Sequence, residues 1–211
     1  MRIHVGNETL TIRDHFKTNN FGRVETLSFD NGSTIDLTGD LVFDGSSGND
    51  NLTGTNNADI LNGYAGDDNI SLLDGDDVAY GGAGNDYLYG GDGADAVIGQ
   101  SGEDHIYGGL GHGDYLQGGA GNDHYYWSVG DGNDDIVDAG QSSGDVLHLT
   151  NGLTMDSVRL ERGSQGYPVN NINHLLVKVG NEVISIRDHF SNSYNQIENL
   201  EFDNGLKSRS L

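Results

Sequence analysis

Residues 81–107 read GGAGNDYLY, GGDGADAVI and GQSGEDHIY, three nine-residue units joined end to end. Each unit has glycine at its fourth position, aspartate at its sixth and an apolar residue at its eighth. Glycine is needed where the backbone turns with positive φ, or where carbonyl groups converge without side chains between them. The unit therefore predicts a glycine-rich turn followed by a short strand whose middle side chain points inward.

The nine-residue period continues on both sides of this stretch. The sixth-position aspartates recur at six successive intervals of nine residues and then at intervals of 10, 9 and 11. They are Asp50, Asp59, Asp68, Asp77, Asp86, Asp95, Asp104, Asp114, Asp123 and Asp134. A period held over this length predicts a solenoid in which each unit stacks on its neighbours. We expect weaker units near Asn57, Leu72 and Gly113, where the pattern is broken.

The predicted turns offer only oxygen atoms to a ligand. Converging carbonyl groups and one carboxylate per unit suit a hard cation that accepts about six to eight oxygen ligands, which means Ca²⁺ before Mg²⁺. We therefore predict calcium ligands at the ten aspartates. Backbone carbonyls are expected to contribute near Gly63, Gly81, Gly82, Gly84, Gly90, Gly91, Gly93, Gly99, Gly102, Gly108, Gly118, Gly119 and Gly121.

The unit has the form G-G-x-G-x-D-x-U-x and resembles the calcium-binding nonapeptide of RTX (repeats-in-toxin) haemolysin-type proteins. This resemblance implies an all-β fold, a parallel β-roll capped by short antiparallel β-strand units at both ends. Two units would form one coil, so that alternate aspartates line opposite edges of the roll. Several calcium ions would lie between the stacked turns, up to about four on each edge.

The flanks of the repeats are copies of each other. Residues 5–16 match residues 179–190, and residues 24–32 match residues 197–205, at separations of 174 and 173 residues. We expect the chain to be one period of a longer array.

Three domains follow from this arrangement. We assign residues 1–44 to an N-terminal β flank resembling the end of a preceding block, residues 45–138 to the RTX calcium roll, and residues 139–211 to a C-terminal β capping module. The last of these resembles the haemolysin-type calcium-binding related module, and its alternating apolar runs predict antiparallel strands.

The chain is strongly acidic. Its 33 acidic and 10 basic residues give a formal net charge of −23, which excludes attraction to nucleic acid or anionic membrane and favours cations. There is no cysteine, and no apolar run approaches the roughly 18–20 residues of a membrane span. Stacked carboxylates repel one another without metal. We therefore expect the repeats to be disordered without calcium and to fold at about 0.1–1 mM calcium.

The other chemistry-bearing residues favour structural interpretations. His15 and His189 occupy equivalent Arg-Asp-His-Phe segments, and we expect His105, His112 and His124 to be surface residues rather than zinc ligands. Adjacent carboxylates are explained by the metal turns, so we predict no catalytic residue. The remaining candidates, which either cover the roll or form a carbohydrate-stacking face, are Tyr87, Tyr89, Tyr107, Tyr115, Tyr125 and Tyr126.

The resemblance implies type I secretion, in which a chain that is unfolded in a low-calcium cytosol folds outside the cell. We interpret the chain as a non-catalytic, calcium-dependent folding and stabilising module of a larger secreted toxin, adhesin or exoenzyme. We expect it to be monomeric and extracellular or on the cell surface, with calcium and the type I secretion machinery as partners. The alternatives are an adhesin-type module that binds carbohydrate or a cell surface, and part of a hydrolase or lyase with its catalytic domain upstream.

Overall fold

The computed structural model describes residues 2–5, 8–11, 26–28, 34–36, 42–138, 140, 144–163, 173–190 and 197–207. The chain divides into two compact units, Met1–Leu41 and Val42–Leu211. In the first unit, β1 (Arg2–Val5) pairs antiparallel with β2 (Glu8–Thr11), and β3 (Thr26–Ser28) pairs antiparallel with β4 (Thr34–Asp36). His15, to which we gave a structural role, lies outside the described residues.

The second unit consists of strands, with one short 3₁₀ helix at Met155–Ser157 among its described residues. The strands are β5 (Val42–Ser46), β6 (Asn51–Thr53), β7 (Ile60–Ala65), β8 (Asn69–Asp74), β9 (Val78–Ala83), β10 (Tyr87–Gly93), β11 (Ala96–Ser101), β12 (His105–Gly111), β13 (Tyr115–Ala120), β14 (His124–Trp127), β15 (Asp134–Ile136), β16 (Val146–Leu149), β17 (Arg159–Gly163), β18 (His174–Val179), β19 (Glu182–Ile186) and β20 (Asn199–Phe202).

These strands form two sheets, and within the repeats successive strands along the chain belong to the two sheets in turn. The described strands of the first sheet run in the order β20-β16-β14-β12-β10-β8-β6, and those of the second in the order β17-β18-β19-β15-β13-β11-β9-β7-β5. Within the repeats every pairing is parallel, and Tyr87 lies beside Asn69 on one side and His105 on the other. Two units therefore make one coil. The predicted all-β parallel roll is confirmed.

The core of the roll is one row of eighth-position side chains from each sheet. Leu88 and Ile106 from the first sheet and Val97 from the second are fully buried. The rest of this core in the repeats comprises Leu61, Ile70, Ala79, Leu116, Tyr125 and Ile136, and Leu72 is also buried. One apolar row per sheet makes a narrow core, because on each strand the residues on either side of the eighth position face outward.

The strands after the repeats extend the same two sheets. β16 pairs parallel with β14, β20 pairs parallel with β16, and β19 pairs parallel with β15. β18 pairs antiparallel with β17 on one side and with β19 on the other. The prediction of antiparallel strands is therefore wrong for β16. The reason is that Leu147 stacks beside Tyr125 as one more eighth-position residue of the roll.

Candidate calcium site

Two rows of aspartates run along the roll, each linked by hydrogen bonds from coil to coil. The backbone N–H of Asp68 donates to Asp86 Oδ1 at 2.8 Å, and that of Asp86 donates to Asp104 Oδ1 at 2.9 Å. The same bond joins Asp50 to Asp68, Asp104 to Asp123, Asp59 to Asp77, Asp77 to Asp95, Asp95 to Asp114 and Asp114 to Asp134. We call these rows the aspartate ladders. They hold one carboxylate per turn at each edge.

The second oxygen of most ladder carboxylates is buried without a hydrogen-bond donor. This is the case for Oδ2 of Asp68, Asp86, Asp95, Asp104, Asp114 and Asp123. Each of these residues is at most 2% exposed. A buried carboxylate oxygen without a partner is costly, and most buried polar atoms in proteins have one. The orphaned oxygens therefore mark positions that a cation fits.

The first glycine of each unit opens the space into which these oxygens point. A Cβ atom at Gly81 would collide with Asp86 Oδ2 and approach the carbonyl oxygen of Gly99 on the next coil. At Gly90 the same atom would meet Asp95 Oδ2 and the carbonyl oxygen of Gly108. Carboxylate and carbonyl oxygens from successive coils thus converge where the side chain is missing. An all-oxygen donor set of this kind fits Ca²⁺.

The family model for the RTX calcium-binding nonapeptide repeat matches the chain four times, over residues 44–79, 73–106, 80–113 and 113–126. Residues 44–126 are an RTX calcium-binding β-roll. No curated protein matches the chain. Among the described residues, no helix is long and apolar enough to span a membrane.

The irregular units of the RTX roll keep the turn geometry despite their sequence. Tyr64, Leu73 and Gln100 stand at the second position and adopt φ values of 75°, 82° and 81°, the conformation that glycine takes elsewhere in the roll. The extra residue at Gly113 leaves the ladder bond from Asp95 to Asp114 at 2.9 Å. The pairing of each coil with the next therefore outweighs the local preference of these side chains.

The first coil of the RTX roll differs from the others. Asp50 Oδ2 accepts hydrogen bonds from the backbone N–H and hydroxyl of Ser46, at 2.6 and 2.8 Å. Asp59 Oδ2 accepts the same two bonds from Thr55, at 2.6 and 2.7 Å. Donors of the protein therefore occupy the oxygens that point into the turn. Among the ten predicted ligands, Asp50 and Asp59 therefore have a protein donor at Oδ2, whereas six others have no donor at that atom.

At the other end, the structure extends a ladder beyond the predicted residues. The N–H of Asp123 donates to Asp145 Oδ1 at 2.7 Å, and the N–H of Asp145 donates to Glu198 Oε2 at 2.9 Å. Sequence reasoning missed both residues. A signal existed for Asp145, since it is followed by Leu147 at the spacing of a repeat unit, although it lies 22 residues after Asp123.

Burial and mutual repulsion disfavour ionised ladder carboxylates. Burial raises the pKa of Asp86 and Asp114 to about 6, and that of Asp95, Asp104 and Asp123 to about 7. For Asp104 the neighbouring charges of Asp123 and Asp86 add to this effect, while the hydrogen bond from the Asp86 backbone opposes it. A divalent cation between the turns would lower the pKa of these carboxyl groups, because it stabilises their ionised form.

Proposed function

We propose that the RTX roll is a calcium-dependent folding and stabilising module of a larger protein exported by the type I pathway. The observation that carries this proposal is the row of buried Oδ2 atoms without donors at Asp68, Asp86, Asp95, Asp104, Asp114 and Asp123. These oxygens face carbonyl oxygens of the stacked coils, and a cation bound there would satisfy them. The stacking of the coils therefore creates the cation site.

The energetics favour an unfolded chain in the absence of metal. The net charge is −23, and the core of the repeats is little more than one apolar row per sheet. Ordering the backbone costs about 1–2 kcal/mol per residue. The burial of so few apolar side chains does not offset this entropic cost. Because the site exists only in the folded state, the free energy of calcium binding becomes free energy of folding.

A calcium titration followed by circular dichroism tests the folding function. We expect little β-structure in metal-free buffer and a cooperative gain with a midpoint of about 0.1–1 mM, the range of extracellular calcium modules. Magnesium is the matched control, since it requires smaller octahedral sites and gives up its water reluctantly. Equal β content in chelator and in saturating calcium would refute the proposal.

The same titration bears on secretion and location. Export as an unfolded chain requires that the module stay unfolded at cytosolic calcium and fold at extracellular calcium. A midpoint in the range of cytosolic sensors, about 10⁻⁷–10⁻⁵ M, would contradict secretion-coupled folding while leaving calcium binding intact. We propose an extracellular or cell-surface location and a monomeric module, which light scattering in calcium would check.

The position of the carboxylates supports a structural rather than a catalytic role. The ladder aspartates from Asp59 onward are at most 3% exposed and lie inside the stacked coils. A substrate would have no access to them without unrolling the turns. We therefore propose that any catalytic activity belongs to other parts of the parent protein.

The outer aromatic face gives little support to sugar stacking. Tyr89 and Tyr107 stack with ring centroids 4.7 Å apart, and Tyr107 and Tyr126 stack at 4.2 Å. Neighbouring rings on adjacent strands thus cover each other's faces and present their edges to solvent. A sugar that stacks on tyrosine needs a free ring face, so we do not propose the carbohydrate-binding alternative.

We further propose that residues 139–211 cap the roll. β16, β19 and β20 continue the two sheets of the repeats. The two buried rows continue into this segment through Leu147, Leu200 and Ile186. A solenoid end without such a cover would expose its apolar row and its unpaired backbone groups. The residues that we assigned to the N-terminal flank, 1–44, include a separate compact unit, Met1–Leu41.

A further inference from the structure

We propose that Glu103, His105 and His124 form a Zn²⁺ site on the outer face of the roll, separate from the calcium turns. From sequence, both histidines are expected to be surface residues without a metal role. The structure brings them together with a carboxylate. One ligand atom from each of the three side chains lies within 4.8 Å of the other two.

The register of the sheet places the two histidines side by side. His105 begins β12, His124 begins β14, and these residues are paired partners in the parallel ladder. Both follow directly after ladder aspartates, so both side chains point outward at the seventh position of their units. Their rings stack with centroids 4.8 Å apart and planes 8° from parallel. Two imidazoles from successive coils therefore lie side by side on the outer face of the roll.

Glu103 supplies the third ligand from the adjoining turn. Its Oε1 lies 3.5 Å from His124 Nε2, and its side chain is 56% exposed. The backbone of this turn is fixed, because the N–H of Glu103 donates to Asn85 Oδ1 at 2.8 Å. The carboxylate can therefore rotate toward a metal while its attachment point stays in place.

The other ring nitrogens have partners that orient the imidazoles. His105 Nδ1 lies 2.8 Å from the Tyr126 hydroxyl, and His124 Nδ1 lies 2.8 Å from His148 Nε2. These contacts leave Nε2 of each ring for a ligand outside the sheet. Metal-binding histidines are commonly held in this way by a hydrogen bond from the second nitrogen.

The donor set selects the metal. Two imidazole nitrogens and one carboxylate oxygen are the ligands of zinc sites that keep a fourth position for water, with bonds of about 2.0–2.2 Å. Calcium prefers oxygen alone, so it does not compete effectively for two imidazoles. The stacked rings direct their Nε2 lone pairs nearly parallel, so both rings must tilt and Glu103 must rotate for the three atoms to converge on one ion. Because the three residues lie on neighbouring coils, a bound zinc ion would join those coils on the outside.

The test uses the untagged full chain in saturating calcium, which keeps the roll folded and its oxygen sites filled. Isothermal titration with Zn²⁺ should show a tight site, and Co²⁺, which replaces zinc, should give visible absorption bands of a nitrogen-containing site. Removal of one ligand in His105→Gln, His124→Gln or Glu103→Gln should weaken zinc binding by at least about tenfold. His112→Gln, which changes an exposed histidine outside the cluster, should leave the affinity unchanged.

Two outcomes would overturn the proposal. One is zinc binding of undiminished strength in the His105→Gln/His124→Gln double variant. The other is loss of zinc binding when calcium is raised, which would place zinc in the aspartate ladders. Circular dichroism in calcium must first show that each variant folds. X-ray absorption at the zinc edge uses the unaltered protein, so its result does not depend on whether the variants fold. Two imidazoles are expected there, and an all-oxygen shell would refute the site.

Discussion

At the scale of single residues, position within the nine-residue unit decides what an aspartate does. Asp95 is buried in a ladder with its Oδ2 lacking a donor, whereas Asp92, three residues earlier, is exposed. Asp95→Asn and Asp92→Asn each remove one negative charge from the same turn. The asparagine at 95 can still accept the ladder hydrogen bond from Asp77, so only the oxygen that faces the cation is lost.

We expect Asp95→Asn to raise the calcium midpoint of folding by about two- to tenfold, because the affinity of calcium sites follows the number of charged ligands. Asp92→Asn should change it little. Circular dichroism during calcium titration of the unaltered protein and of the two variants measures both effects. Equal midpoints for the two variants would show that overall charge, rather than the ladder, governs calcium binding.

Backbone strain is the second effect at this scale. Gln100 holds a φ of 81° that costs a side-chain-bearing residue about 1–2 kcal/mol. Gln100→Gly removes this strain and adds flexibility to the unfolded chain, so we expect a net gain of about 0.5–1 kcal/mol in the free energy of unfolding. Urea denaturation in saturating calcium measures it.

Ser101→Gly is the matched control for Gln100→Gly. Ser101 is not among the positive-φ residues, and its hydroxyl donates to the carbonyl of Gly82 at 3.1 Å. Glycine at this position relieves no strain and removes a hydrogen bond, so this variant should be less stable than the original. If both glycine variants changed stability in the same direction, strain at Gln100 would not be the cause.

At the scale of strands, the capping segment and the roll share their sheets and should therefore unfold together. Leu147 in β16 is fully buried beside Tyr125, whereas Leu160 in β17 is 44% exposed. We expect Leu147→Ala to cost about 2–5 kcal/mol, as is usual for a buried leucine, and Leu160→Ala to cost far less. Urea unfolding in calcium compares them.

The calcium midpoint distinguishes a shared sheet from an independent cap. Leu147→Ala should raise the midpoint of the whole roll, because binding and folding are linked and every coil depends on its neighbour. Leu160→Ala should leave the midpoint nearly unchanged. Two separate unfolding transitions in Leu147→Ala, with the roll unaffected, would show that residues 139–211 fold alone.

Much of this arrangement could be predicted because a regular repeat converts spacing directly into position. An interval of 18 residues is one coil, so the ladder partners of Asp86 and the buried row at Leu88 follow from counting. The same counting places His105 beside His124, 19 residues apart across the insertion at Gly113. That signal was available in the sequence, but their contact with Glu103 depends on side-chain rotation.

Features at the ends of the repeats could not be counted in this way. Asp145 and Glu198 join the ladder across segments without a period, so their distance in sequence says nothing about their place in the coil. The bonds to the first two ladder aspartates come from Ser46 and Thr55, hydroxyl residues at the second position of their units, where the most regular units have glycine. Periodicity describes the interior of a solenoid, whereas its ends are set by individual contacts.

At the scale of the whole molecule, the ladders make the stability of the roll depend on pH in opposite ways with and without calcium. In the metal-free fold the pKa of Asp95, Asp104 and Asp123 is raised to about 7 by burial, above the ordinary aspartate value of about 3.9. Between these values the folded chain binds more protons than the unfolded chain. The free energy of unfolding without metal is therefore largest below about pH 4 and is lost as the pH rises through about 7.

Calcium reverses this dependence because it binds the ionised ladder. The unfolded chain has ordinary aspartate pKa values of about 3.9, so at pH 5.5 and above the ladder is ionised both before and after calcium-driven folding. The calcium midpoint should therefore change little between about pH 5.5 and pH 8 and rise as the pH falls through about 4. In calcium-stripped protein, by contrast, residual structure should be greater at the lower pH. The fluorescence of Trp127, the single tryptophan and only 3% exposed, reports folding under both conditions.

A pair of variants assigns the pH dependence to the ladders. Asp104→Asn removes one buried titrating carboxylate and should flatten both pH profiles, whereas Asp92→Asn removes an exposed carboxylate and should leave their slopes unchanged. A calcium midpoint that is several-fold higher at about pH 5.5 than at pH 8 would mean that calcium displaces protons from a ladder that is already folded. The metal-free roll would then be populated at pH 5.5, held by hydrogen bonds and the narrow apolar core, and calcium would fill a preformed site rather than drive folding.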